Sequence, residues 1–193
     1  KNKRTRKGES RMKQCYETER LLLLPAAQPQ AQMVADYYCR NRAFFEPFDP
    51  QREPDFFTVD YQRRLLVQDE ENRERAVGFR FYIVPKEQPG QIIGMVALNN
   101  VVWGSFCSCF LGYKLDKDWL RQGLMSEAVK ECVRIAFEEL GLHRIEANIM
   151  PHNIASLGVV RRCGFVEEGL ARKYLKINGV WEDHLHMVKL NED

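Results

Sequence analysis

The sequence predicts a mixed α/β fold of the α+β kind, with about seven strands in one sheet flanked by four helices. Three observations carry this. Residues 78–115 hold three strand-like runs separated by short turns, which reads as an antiparallel meander. "WLRQGLMSEAVKECVRIAFEEL", Trp119–Leu140, repeats Met125, Val129, Cys132, Val133, Ala136 and Leu140 at helical spacing, with Glu127, Lys130, Glu131, Arg134 and Glu138 opposite. "FVEEGLARKYLKI" and "VWEDHLHMVKL" flank Asn178-Gly179, a pair that favours a tight hairpin turn.

The elements follow in order. "ERLLLLPA" is a strand buried on both faces, closed by Pro25. A helix runs from about Pro29 to Asn41 and stops before the prolines of "EPFDP". "EPDFFTVDYQRRLLVQDEENRERA" is a second helix with a partial stripe of Phe56, Val59, Leu65 and Leu66. The strands "GFRFYIVP", "QIIGMVALNNVV" and "SFCSCFLGYKLD" come next, then the long amphipathic helix, ended by Gly141. "HRIEANIM" is a strand, "NIASLGVVRRC" a helix, and the hairpin closes the chain. No repeat or linker divides residues 14–193, which read as a single domain.

Composition narrows the class. The chain has 193 residues, 45% hydrophobic and 29% charged, enough for a real core. No apolar run approaches the roughly 18 residues of a membrane span, and the charged N-terminus is not followed by the apolar stretch of a secretory leader. Residues 1–13 carry seven Lys or Arg and one Glu, which predicts a solvated, disordered tail, with weak RNA contact as the alternative use. The remainder has 22 basic and 26 acidic residues, so it is net acidic. The six cysteines form no C-x-x-C pair, so a reducing, cytoplasmic setting is expected and no metal site. The oligomeric expectation is a monomer or homodimer.

The helix entrance at Arg121, Gln122 and Gly123 lacks a strong capping side chain. Unpaired N–H groups collect at such a start, and with the helix dipole they favour an anion. The G-K-[ST] of a nucleotide-binding P-loop is absent, so the signal alone does not separate a phosphate seat from a bare helix start. "MPHNIASLGVVRRCGF" places Asn153 at a second helix start, where Asn is a good N-cap, with Ser156 three residues on.

These segments, together with "ADYYCRNRAFFEPFDP", "NVVWGSFCSCFLGYKL", "GLMSEA", "HRIEANIMPHN" and "YLKINGVWEDH", resemble the GNAT superfamily of acetyl-coenzyme-A-dependent N-acetyltransferases. Within it the similarity is to the Rim group, the ribosomal-protein alanine N-acetyltransferases, over roughly residues 18–190. The resemblance implies a splayed mixed sheet. It also implies acetyl-CoA as co-substrate, with no metal. The pyrophosphate would sit on Arg121, Gln122, Gly123, Leu124, Met125 and Ser126, and the pantetheine arm along Leu111, Gly112 and Tyr113. Asn153 and Ser156 match family positions near the reacting end, Ser156 as the donor to the leaving thiolate. The family loop pattern [QR]-x-x-G-x-[GA] is broken by Leu120 and Met125, which leaves binding to backbone N–H groups and Arg121.

The expected reaction is attack of a neutral protein α-amine, of Ala or Ser in a ribosomal protein, on the thioester. Because an α-amine has a pKa near 7.7–8.0, positioning can supply much of the rate. Glu146, which alternates with Asn148 and Met150 on one strand, is the first choice of base and Asp183 the second. Tyr174 and Tyr113 are alternative acids and His152 a relay candidate, while His184 and His186 are read as structural. A peptide slot is expected between the first two helices and the last hairpin, walled by Tyr37, Tyr38, Phe44, Phe45 and Trp181. Two alternatives stand beside this reading: an enzyme acting on a small amine or antibiotic, and a non-catalytic acetyl-CoA-binding module on the ribosome.

Overall fold

The computed structural model describes residues 12–192. The basic run expected to form a tail therefore lies outside the described residues except at its end, where the Lys13 amide donates to the Tyr16 hydroxyl at 3.3 Å.

Eight strands form one sheet: β1 Tyr16–Glu17, β2 Leu21–Pro25, β3 Phe79–Pro85, β4 Gly94–Val102, β5 Ser108–Leu115, β6 Arg144–Ile149, β7 Val166–Ile177 and β8 Val180–Leu190. The helices are α1 Ala31–Arg40, α2 Arg42–Phe45, α3 Val59–Glu74, α4 Leu124–Arg134 and α5 Ile154–Arg162. The seven expected strands are all present. The additions are β1, two residues long, and α2, a single turn before Pro47, both too short for a periodic signal. The expected second helix begins as a 3₁₀ turn, Pro54–Phe57, and becomes α3 after Thr58, whose hydroxyl accepts from the Tyr61 amide at 3.3 Å. α4 runs on into a wide π turn, Ile135–Glu139, before Gly141 at φ 68°.

The strand order is β1-β2-β3-β4-β5-β6-β8-β7. All neighbours are antiparallel except β5 and β6. Alternation sends side chains to two separate cores. Leu21, Leu23, Phe81, Ile83, Val96 and Leu98 pack with α4 and α5 on one face. Tyr82, Val84, Met95 and Ala97 pack with α1 and α3 on the other. Asn178 at φ 43° and Gly179 at φ 84° make the turn of the last hairpin, the two positive angles that such a turn requires.

One irregularity positions the site. β5 and β6 pair only at Ser108–Arg144, Cys109–Ile145 and Phe110–Glu146, and then part. From Leu111 onward β5 keeps its partner β4 and β6 keeps its partner β8, so the sheet opens into a wedge between two intact halves.

Candidate active site

The wedge is a cleft of about 860 Å³. Its walls come from β5, the start of α4, the end of β6, α5 and the Phe44–Asp49 segment. The expected residues Leu111, Gly112, Tyr113, Arg121, Gly123, Leu124, Met125, Ser126, Asn153 and Ser156 all line it. Gln122 does not; its carbonyl accepts from Arg20 Nη1 at 2.9 Å.

The α4 entrance is built from backbone. Gly123 sits at φ 76° and ψ 0°, a left-handed conformation that glycine adopts without penalty, and Arg121 also has positive φ, 60°. The Glu127 amide donates to the Gly123 carbonyl at 3.1 Å, closing the first turn. The amides of Leu124, Met125 and Ser126 precede it and so have no carbonyl partner within the helix, and all three residues line the cleft. Glu127 would oppose an anion here, but its carboxylate faces away into donors. Thr18 Oγ1 lies at 2.5 Å, the Arg20 amide at 2.8 Å and Arg20 Nη2 at 2.7 Å. Burial raises the Glu127 pKa, and these donors more than reverse it, so the carboxyl is held below its usual range. Arg162 was not expected from sequence. Its guanidinium lines the cleft and donates from Nε to Ser126 Oγ at 3.2 Å, adding positive charge beside the helix start.

The loop before α4 is fixed from the opposite core. The fully buried Asp116 accepts from Arg40 Nε at 2.5 Å and from the Asp118 amide at 3.0 Å, while Asn41 Oδ1 accepts from the Lys117 amide at 3.0 Å. Nothing in the spacing of Arg40, Asn41 and Asp116 marks them as partners, since 76 residues separate the bonded pairs.

Asn153 caps α5 by accepting from the Ser156 amide at 3.2 Å. Ser156 Oγ donates to the Tyr113 hydroxyl oxygen at 2.7 Å, and that hydroxyl donates to the Ser156 carbonyl at 2.8 Å. Burial, only partly offset by the Ser156 hydrogen bond, pushes the Tyr113 pKa well up, so the phenol keeps its proton. Two neutral hydroxyls thus stand on the cleft wall between β5 and α5.

On the other side, Asp49 and Lys114 form an ion pair between the segment after α2 and β5. The Asn178 amide of the hairpin turn donates to the Asp49 carbonyl at 2.9 Å, so the hairpin tip closes against this segment. Phe44 and Phe45 line the cleft. Tyr37 and Tyr38 are core residues instead, and Trp181 is 57% exposed on the hairpin.

Glu146 lies outside the cleft lining. Its carboxylate meets Arg144 Nη2 at 2.9 Å and His186 Nδ1 at 2.7 Å. Burial raises its pKa, but Arg144 and His186 together bring it below the usual carboxylate range. Asp183 accepts from the Lys173 amide at 2.8 Å, a hairpin contact away from the cleft lining. The same face of the sheet brings Asn148 and His184 into the cleft. Tyr174 is next to both: its hydroxyl accepts from Asn148 Nδ2 at 3.3 Å, and its ring centroid is 5.6 Å from that of His184.

Among the described residues no helix is long and apolar enough to cross a membrane, and no three His, Cys, Asp or Glu side chains cluster as a metal site.

A family model, the acetyltransferase (GNAT) domain, matches residues 20–166. The chain is 38% identical over 169 residues to the ribosomal protein uS5-alanine N-acetyltransferase of Escherichia coli, covering 87% of this chain and 86% of that one. It matches the crystal structure of the ribosomal-protein-S5-alanine acetyltransferase from Vibrio fischeri with a TM-score of 0.89 and 36% identity, over 93% of this chain and 97% of that one. Mycobacterium smegmatis RimJ, solved in complex with CoA-disulfide, matches with a TM-score of 0.83 and 26% identity, over 89% and 82%. With a sheet that opens at one parallel junction, a backbone-lined helix start inside the opening and these similarities, the chain belongs to the GNAT family and is an acetyltransferase.

Proposed function

We propose that this protein transfers acetyl from acetyl-CoA to the N-terminal α-amine of a protein, a ribosomal protein beginning with Ala or Ser. The observation that carries the reading is the wedge itself: the α4 entrance, the free edge of β5 and the Ser156–Tyr113 pair all face one opening. The similarity to enzymes named for alanine acetylation of a ribosomal protein supports the acceptor class.

The residues present fit a CoA thioester. Three N–H groups without a carbonyl partner in the helix at the α4 start, with Arg121 and Arg162 beside them, suit a pyrophosphate. β5 beyond Phe110 has lost its β6 partner, so backbone groups of Leu111 to Tyr113 are placed to pair with an extended amide arm. When bound, the thioester supplies an electrophilic carbonyl carbon. The acceptor amine attacks that carbon from the side of Asn148, His184 and the Phe44–Asp49 segment. Backbone N–H groups near Gly112 polarise the carbonyl. As the C–S bond breaks, the Ser156 hydroxyl rotates its proton away from Tyr113 Oη and delivers it to the leaving sulfur. Glu146, turned away and neutralised by Arg144, orients His186.

The test is thiol release from acetyl-CoA with peptides beginning in Ala, Ser or Met, and with polyamines and aminoglycosides in parallel. Release with Ala or Ser peptides and mass spectrometry showing one α-N-acetyl group support the reading. Release only with polyamines or antibiotics, or with none of the amines, overturns it.

A further inference from the structure

His184 is only 3% exposed, yet it lines the cleft on the wall where the acceptor would enter. Its Nδ1 is 3.0 Å from the carbonyl oxygen of Glu182. A carbonyl oxygen only accepts, so Nδ1 carries the hydrogen, and the neutral ring keeps its lone pair on Nε2. The hydrogen bond therefore fixes the tautomer as well as the ring's orientation. Asn148 also lines the cleft, and its Nδ2 donates at 3.3 Å to the hydroxyl of Tyr174, whose ring centroid is 5.6 Å from that of His184. The Nε2 lone pair is therefore the acceptor that His184 offers to an N–H group bound in the cleft.

We propose that His184 is the catalytic base of the transfer, taking a proton from the acceptor amine through Nε2. This rests on the N-acetyl-transfer reading and assigns the step it left open. The balance is simple. The amine nitrogen forms a C–N bond to the thioester carbon and loses one proton to His184 Nε2. The C–S bond breaks, and the sulfur gains one proton from Ser156. His184 then passes its proton to solvent, and Ser156 regains one.

Glu146 and Asp183 are less suited to contact the amine. Glu146 is held by Arg144 and His186 outside the cleft lining, and Asp183 is bound to the Lys173 amide. The ionisable groups around His184 are Glu182, Asp183 and His186 of its own strand and Tyr174 on β7, with Asp49 and Lys114 lining the same cleft region. Burial is the dominant influence and pushes the His184 pKa below its ordinary value, which keeps the base unprotonated at neutral pH.

Two measurements test the assignment. Nitrogen-detected NMR of the imidazoles in the wild-type protein should show His184 at pH 7 as the neutral Nδ1–H tautomer; an Nε2–H tautomer or a charged ring overturns the proposal. His184→Gln, checked for wild-type CoA binding, should lower kcat about 10²-fold or more with KM for acetyl-CoA within about twofold. His186→Gln, which removes the neighbour only, should cost no more than about tenfold. A His184→Gln variant within about threefold of wild-type kcat, or one less impaired than His186→Gln, overturns the assignment while leaving the transferase reading intact. Failure of the wild-type protein to release thiol with every amine overturns that reading instead.

Discussion

Ser156 and Tyr113 hold each other across the seam between β5 and α5: the serine hydroxyl donates to the phenol oxygen at 2.7 Å, and the phenol donates to the serine carbonyl at 2.8 Å. The pair ties a cleft-wall hydroxyl to a buried ring that stays protonated, and in the proposed reaction Ser156 is the group that protonates the leaving thiolate. Ser156→Ala is expected to lower kcat by roughly 10²-fold while leaving KM for acetyl-CoA near wild type. Tyr113→Phe removes the acceptor that aims Ser156, so a smaller loss in kcat is expected, with destabilisation of about 1–2 kcal/mol in urea unfolding.

Gly123 tests the helix entrance. At φ 76° a side chain is strained, and the added Cβ would lie 3.6 Å from Arg20 Nη2, an ordinary contact. Gly123→Ala should therefore cost about 1–2 kcal/mol from conformation alone. A shift of the loop to relieve that strain would turn the amides of Leu124 to Ser126, so weaker CoA binding by calorimetry is expected as well.

Lys114 and Asp49 form a pair whose side chains are 23% and 8% exposed. Burial lowers the Lys114 pKa, and the Asp49 carboxylate counters it. Lys114→Met leaves the Asp49 charge buried without its partner, and a loss of about 3 kcal/mol or more is expected in chemical unfolding. The double substitution Lys114→Met with Asp49→Leu should recover most of that loss. A double variant as unstable as the single one would show that the stability resides elsewhere.

Acid should weaken the site's scaffold. Glu127, Asp116 and Glu139 are all held below the ordinary carboxylate range; burial opposes this in each case, and hydrogen bonds from Arg20, Asn41 with Arg40, and Arg134 reverse it. Groups with depressed native pKa values bind fewer protons folded than unfolded. Their stabilisation is complete above the unfolded carboxylate pKa of about 4 and is lost as pH falls through the folded values. Stability measured from pH 7 to pH 3 should fall below about pH 5, and Glu127→Gln should show a shallower decline than wild type.

Much of the site was legible in the chain because it is local. Gly123, Leu124, Met125 and Ser126 lie on one helix start, Asn153 and Ser156 on another, and Leu111 to Tyr113 on one strand. Helix starts are short-range properties of a sequence, so spacing finds them, whereas the roles of Leu111 to Tyr113 and of Ser156 were implied by the family resemblance. The part of the cleft around His184 was not legible in this way. His184 and His186 look alike in sequence, two residues apart on β8, and only the third dimension separates them. One has a backbone carbonyl at Nδ1 and faces the cleft, and the other has the Glu146 carboxylate. Arg20–Glu127, Arg40–Asp116 and Arg162–Ser126 are likewise contacts between residues 36 to 107 positions apart.

By itself the sequence determined the element order, because hydrophobic period and turn chemistry act over a few residues; its motifs carried the family resemblance, which implied the mixed sheet and made the α4 start a candidate anion seat. The tertiary structure alone decided where β5 leaves β6 and which carboxylates are neutralised. It also decided which imidazole reaches the cleft. Those outcomes depend on packing and electrostatics between segments far apart in the chain, and no local pattern encodes them.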